Sequence, residues 1–226
     1  EEKNTDVEEK NDIEEKNEAE EEKKEIHPLS NYLKLAQDVF KNMNPVTDIT
    51  FGNGPMDVLD HSCSKSSFGG KMCIDGTVKM EEEIEEAYLN NTPIPLIERD
   101  FLIKAFKEIK DVNVDLLKQQ IPCIFISIKK NRKRHIQELH EKIVALSNVE
   151  GVKMILYVDD NVNVQDISVT LWRFCNNLDP KRDHIIFQRT FIHQPNKTFS
   201  CIGFDGTTKT KELDNFQRDW PNIIVA

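Results

Sequence analysis

Two short apolar runs constrain this chain more than any other feature: Cys123-Ile124-Phe125-Ile126-Ser127-Ile128 and Lys153-Met154-Ile155-Leu156-Tyr157-Val158. Each is rich in β-branched or aromatic residues and lacks the alternation of a strand with one wet face, so each reads as a strand buried on both faces. Between them, from about Arg132 to Leu146, Ile136, Leu139, Ile143 and Leu146 recur at helical spacing. A strand, a helix and a strand at this interval predict a parallel βαβ unit with a right-handed crossover. Asp166 can cap a further helix carrying Ile167, Leu171, Trp172 and Phe174, and His184 to Phe187 reads as a third strand. The expected fold class is α/β, a βαβ-type sheet flanked by helices over residues 121–226.

Upstream of residue 121 the pattern changes. Residues 28–120 combine helices with a Gly- and Asp-rich strand-and-turn segment. Ser30 can cap a helix whose stripe is Leu33, Ala36, Val39 and Phe40, stopping near Asn44-Pro45. Thr47 to Lys79 reads as short strands and turns, Met80 to Tyr88 as a Glu-rich helix, and Phe101 to Ile109 as an amphipathic helix. Residues 1–27 form an acidic Glu/Lys-rich tail or linker, disordered or singly helical, or else an acidic docking tail. Its first 25 residues hold thirteen Asp or Glu against five Lys, which leaves only two units of the net −10 to the rest. Such a tail buries too little apolar area to offset its ordering entropy, so its removal should leave the melting temperature unchanged.

A nearly neutral body behind an acidic tail argues against a nucleic-acid partner. No run approaches the roughly 20 apolar residues of a membrane span. Five cysteines, widely spaced and without a C-x-x-C pair, fit a reducing, cytoplasmic setting.

Several local patterns could carry chemistry. Asp159-Asp160 and the polar turn to Asp166 follow a buried strand, where ligands of open α/β sheets bind. The turn either holds a divalent cation or bonds its own backbone and caps the next helix. Lys129, Lys130, Arg132, Lys133 and Arg134 cluster at a helix start, as an anion site or as a solvated edge paired with Glu138 and Glu141. His61 and Cys63 have no second metal-ligand pair, and no nucleophile elbow, phosphate loop or dinucleotide fingerprint is present. Ile74-Asp75-Gly76-Thr77-Val78-Lys79 recurs as Phe204-Asp205-Gly206-Thr207-Thr208-Lys209. Asp-Gly is a tight-turn pair, so the two copies can close two hairpins.

In chain order, Ile126 to Lys130, Tyr157 to Asp166, Trp172 and Asn176 to Asp183 resemble the C-terminal domain of UbiD-type decarboxylases. Gly54 to His61, Gly69 to Thr77 and Arg218-Asp219-Trp220-Pro221 are similar to further family elements. The resemblance covers roughly residues 45 to 226. Asn161 stands where the family usually shows Asp, the second Asp-Gly-Thr copy lacks the Gly-Gly-Lys lead-in, and residues 80 to 110 resemble an insertion of a menaquinone-type sub-branch. The resemblance implies non-oxidative decarboxylation of an aromatic carboxylic acid, in quinone biosynthesis, by an enzyme using prenylated FMN with Mn or Mg and K. The catalytic Glu-Arg-Glu set and the metal ligands belong to a preceding flavin-binding domain and find no match here. What carries over is an oligomerisation and active-site-closing domain, itself inactive and holding no cofactor alone. The alternative is a non-catalytic scaffold or binding protein of the same fold. Lys71, Asp75, Lys129, Lys130, Asp159, Asp160, Asp179, Arg182 and Asp183 then have structural or lid roles.

Overall fold

A computed structural model describes residues 31–57, 62–63, 65, 67–83, 92–191 and 194–216. The acidic tail, Ser30, His61, most of the Met80 to Tyr88 segment and Arg218 to Pro221 lie outside the described residues. The chain divides into two compact units, Glu1–Asp38 and Val39–Ala226. The described part of the first is the opening of helix α1 (Tyr32–Asn42), whose Lys34 N–H donates to the capping side chain of Asn31 at 3.0 Å.

The second unit holds two sheets. Strands β1 (Ile49–Pro55) and β2 (Phe68–Ile74) pair antiparallel as a ribbon. The main sheet has five strands: β3 (Ile109–Asn113), β4 (Cys123–Ile128), β5 (Met154–Asp159), β6 (His184–Phe191) and β7 (Gln194–Asp205), in the spatial order β3-β4-β5-β7-β6. The central β4, β5 and β7 run parallel, and β3 and β6 close the edges antiparallel. The helices are α2 (Arg99–Ala105), α3 (Asp115–Lys118), α4 (His135–Val144), α5 (Ile167–Asn177), α6 (Pro180–Asp183) and α7 (Lys211–Asp214).

The β4-α4-β5 unit forms as its apolar pattern requires, and all six residues of β4 are buried. On one face Ile124, Ile126 and Ile128 with Ile155 and Tyr157 pack against Ile136, Leu139 and Ile143 of α4. On the other, Phe204 of β7 meets Phe174 of α5 and Phe51 of β1. Asp166 caps α5 through Val169 N–H, 3.0 Å away.

Three expectations change. The helix expected over Phe101 to Ile109 ends at Ala105, because Ile109 and Val112 are drawn into β3 opposite Ile128 and Ile126. In α5 the inward residues are Thr170, Phe174 and Asn177, whereas Trp172 stays 62% exposed. The Asp-Gly-Thr copies do not close hairpins; each follows the second strand of one.

Strand β7 was not legible because Ser200 and Gly203 interrupt its apolar run. The glycine has a packing cause. A Cβ at Gly203 would lie 2.6 Å from His140 Nδ1, so only glycine lets α4 approach the sheet there.

Candidate functional site

The carboxyl ends of β4, β5 and β7 deliver Lys130, Asp159 and Asp205 to one edge of the sheet, and the turn before β6 brings Asp179, Arg182 and Asp183 beside them. Lys209 sits at the centre, 1% exposed. Its ammonium donates to the carbonyls of Asp205 and Thr207 at 2.5 and 2.9 Å, and lies 3.1 Å from the Asp205 carboxylate and 3.8 Å from that of Asp183. Thr207 donates its N–H and hydroxyl to Asp205 at 3.0 and 2.5 Å. Asn177 closes the ring by donating to Gly206 O at 3.0 Å.

Around this ring the charges are matched in pairs. Lys130 bonds Asp214 of α7 at 2.9 Å and stands 3.7 Å from Asp205. Arg182 donates to Asp183 at 2.6 Å and to Ser62 O at 2.7 Å, and its guanidinium lies 4.8 Å from the centre of the Phe216 ring. Asp179 accepts from Lys181 and Arg182 N–H as the cap of α6, and from Gly70 N–H of β2 at 3.2 Å. Asp159 takes both the N–H and the hydroxyl of Thr208, at 3.0 and 2.6 Å, tying the end of β5 to the end of β7.

Burial alone would raise the Asp205 carboxyl, but Lys209, Lys130 and the Thr207 bonds hold it down at about 2. At Asp183 burial prevails over Lys209 and Arg182 and pushes the carboxyl up. Asp205 is therefore a fixed anion and no proton donor at neutral pH.

Six of the nine residues expected to matter fall into bonded positions. Lys130, Asp159, Asp179, Arg182 and Asp183 converge on the sheet edge, Asp75 belongs to a second ring described below, and Lys71 lies at the middle of β2. Lys129 and Asp160 are exposed. The basic run does not converge on an anion: Lys130 points inward, Arg132 pairs with Glu138 at 2.9 Å, and Lys133 donates to Asn215 at 3.1 Å. Cys63 is buried and donates to Lys65 O at 2.8 Å. Lys209, Asp205, Asn177 and Asp214 were not singled out as site residues. The Asp-Gly-Thr-x-Lys echo was the signal for Asp205 and Lys209, since a lysine repeated at a fixed distance from an aspartate marks a specific pair.

The second ring repeats the first around Asp75. Thr77 donates N–H and hydroxyl to Asp75 at 2.9 and 2.6 Å, Lys79 bonds Asp75 at 2.6 Å and lies 3.5 Å from Asp48, and Asn42 donates to Gly76 O at 3.0 Å. Here the carboxylate is open to water, and the Lys79 bond leads the causes that lower it.

Could these rings hold the prenylated FMN, divalent metal and potassium that the resemblance implies? Among the described residues no three His, Cys, Asp or Glu side chains are grouped to hold a metal. The cations at the sheet edge, Lys130, Arg182 and Lys209, are each engaged by carboxylates and not free for a phosphate. The described residues do not fit these groups.

A family model, the C-terminal domain of 3-octaprenyl-4-hydroxybenzoate carboxy-lyase, matches residues 26–76 and 89–205. An uncharacterized protein of Helicobacter pylori strain J99 is 31% identical over 175 residues, which cover 74% of this chain and 24% of that protein. One from Aquifex aeolicus is 36% identical over 109 residues, 44% of this chain and 21% of the relative. The chain thus spans about a quarter of the length of these relatives. Among solved structures, vanillic acid decarboxylase of Sedimentibacter hydroxybenzoicus in open form superposes with a TM-score of 0.42 at 15% identity, covering 55% of this chain and 27% of that one. The UbiD-class enzyme HmfF of Pelotomaculum thermopropionicum, in complex with FMN, gives 0.41 at 18% identity, covering 56% and 28%. No helix among the described residues is long and apolar enough to cross a membrane.

Proposed function

The chain belongs to the 3-octaprenyl-4-hydroxybenzoate carboxy-lyase family through that family's C-terminal domain, and from this premise we propose that it is the oligomerisation and active-site-closing part of a prenyl-FMN-dependent, non-oxidative aromatic acid decarboxylase of the quinone-biosynthesis type, working in the cytoplasm. Flavin, Mn or Mg and potassium are held by a preceding flavin-binding domain, and the substrate is an aromatic carboxylic acid. Residues 1–27 act as an acidic linker to that partner, residues 28–120 carry the ribbon and the insertion, and residues 121–226 carry the α/β body.

One observation supports this division of labour more than the others. The charged groups at the sheet edge, where an α/β protein would place its chemistry, bond one another: Lys209 serves Asp205 and Asp183, Arg182 serves Asp183, and Lys130 serves Asp214. A carboxylate held at about 2 cannot deliver the proton that protonates the carbon after carbon dioxide leaves. The electrons left by that departure need an electron sink, which is the cofactor's contribution.

The test is carbon dioxide release from a panel of aromatic acids, with prenylated FMN, Mn and K supplied. The 226-residue chain alone should be inactive, and mixing it with the flavin-binding remainder of the longer polypeptide should restore turnover. Turnover by the chain alone would overturn the proposal. A non-catalytic scaffold remains the second reading, favoured by the same saturated ion pairs, and turnover of the mixture excludes it.

A further inference from the structure

The two rings are parts of a larger internal repeat. Asn42-Met43-Asn44-Pro45 and Asp48 correspond to Asn177-Leu178-Asp179-Pro180 and Asp183, each after a helix and before a strand pair that ends in Asp-Gly-Thr-x-Lys. The correspondence extends to atoms. Asn44 N–H donates to Asp48 at 2.8 Å, as Asp179 N–H does to Asp183 at 2.8 Å. Val46 N–H donates to Asn44 at 2.9 Å, and Lys181 N–H to Asp179 at 3.1 Å. A Cβ on Gly76 would strike Val39, three residues before Asn42, and one on Gly206 would strike Phe174, three before Asn177.

The contacts between the halves are also exchanged. Asn44 of the first half meets Ser200 of β7 at 3.4 Å, and its counterpart Asp179 meets Gly70 of β2, the counterpart of Ser200, at 3.2 Å. The halves are thus related by an approximate internal two-fold.

Beyond the exposure of the two rings, they differ at the edge of the strand pair. In the second half the outer edge of β7 is occupied by β5: Ile202 N–H donates to Lys153 O, Gly206 N–H to Tyr157 O, each at 2.9 Å, and Thr208 to Asp159. In the first half, Asp75 N–H faces inward to Asp48 O and Gly70 N–H faces outward to Asp179. By the alternation of an antiparallel ribbon, the N–H groups of Met72 and Ile74 also face outward. No strand among the described residues pairs with that edge. Beside it, Val78 and Met80 are 80% and 70% exposed, and Phe68 45%.

We propose that the outer edge of β2 is a docking site for an extended, apolar strand ending in a carboxylate, supplied, on the proposed reading that the chain is one domain of a longer enzyme, by the part of that polypeptide outside this domain. The carboxylate would meet the Val78 N–H as Asp159 meets Thr208. About three quarters of the length of the relatives lies outside the matched region and can supply such a strand. A second copy does not suit the edge. Lys71 is the middle residue of β2, and a symmetric antiparallel pairing centred on it places two ammonium groups opposite each other. The docked strand is not β5 itself, which is paired on both sides.

The test uses the 226-residue chain and, as probe, a labelled peptide with the sequence of residues 153–160, which fits the equivalent edge of β7. Fluorescence anisotropy should show saturable binding, with amide hydrogen exchange slowed at Met72, Ile74 and Gly76. A peptide with Asn at the Asp159 position should bind roughly tenfold more weakly, the loss expected for one charge-assisted bond. Because the variation is in the peptide, protein folding is unaffected. No saturation by about 1 mM peptide, protection confined to other edges, or protection of these amides by self-association without peptide would each overturn the proposal.

Discussion

At the scale of single residues, Lys209 and Lys79 form a matched pair of experiments. Both bridge two aspartates in the same local geometry, one sealed and one near water. Lys209→Met strands two carboxylates in the interior and should cost about 3–5 kcal/mol in urea unfolding, whereas Lys79→Met should cost a small fraction of that, because the Asp75 anion remains solvated. Equal losses would contradict this reading of the buried ring. Gly206→Ala should cost about 1–3 kcal/mol, since the added methyl meets Tyr157 O at 2.9 Å as well as the Phe174 ring. His140 supplies a pH dependence. Buried beside Tyr157, with its Nδ1 3.0 Å from the phenol oxygen, it is pushed down to about 4 by desolvation, against a backbone contact with Cys201. The unfolded state therefore takes up the proton first. The stability of the neutral form is complete above about 6.5 and declines as the pH falls toward 4, by on the order of 3 kcal/mol. Urea midpoints measured across this window should fall, and His140→Leu should flatten the slope.

Among elements, the parts most legible in the sequence were those whose pattern is set by local burial. β4, α4 and β5 announce themselves because both strands are shielded on two faces and the helix has a continuous inner stripe. The antiparallel edge β3 was not read as a strand, its first residue Ile109 being taken as the end of a helix, because only its partners Ile126 and Ile128 determine its conformation. The site was legible in the same uneven way. Asp179, Arg182 and Asp183 stood out by their order in one segment, while Lys209 and Asp214 needed the folded chain to bring them to Asp183 and Lys130. Asp179 links elements that are far apart in sequence, capping α6 while receiving Gly70 N–H of the ribbon. Asp179→Ala should lower stability by about 2 kcal/mol and speed amide exchange at Gly70. An unchanged exchange rate there would show that the ribbon is held in place by other contacts. Lys153 has a comparable linking role. Its ammonium, lowered to about 8 by burial against the pull of Asp48, donates to the carbonyls of Phe40 and Met43 at the end of α1, 2.5 and 2.7 Å away.

For the molecule as a whole, the strand order matters as much as the strand contents. β7 is the last strand in sequence among the described residues, yet it lies inside the sheet, between β5 and β6. During synthesis the chain must therefore hold β5 with one open, apolar edge while residues 160–205 are made. At roughly 5–20 residues per second that interval is about 2–9 s. A chain stopped at residue 193 keeps β4, α4 and β5 but has no partner for that edge, and it should aggregate where the 226-residue chain remains in the supernatant. The main sheet is thus complete only once β7 has emerged, so a stop codon ahead of that strand would act as a folding lesion rather than as a simple shortening.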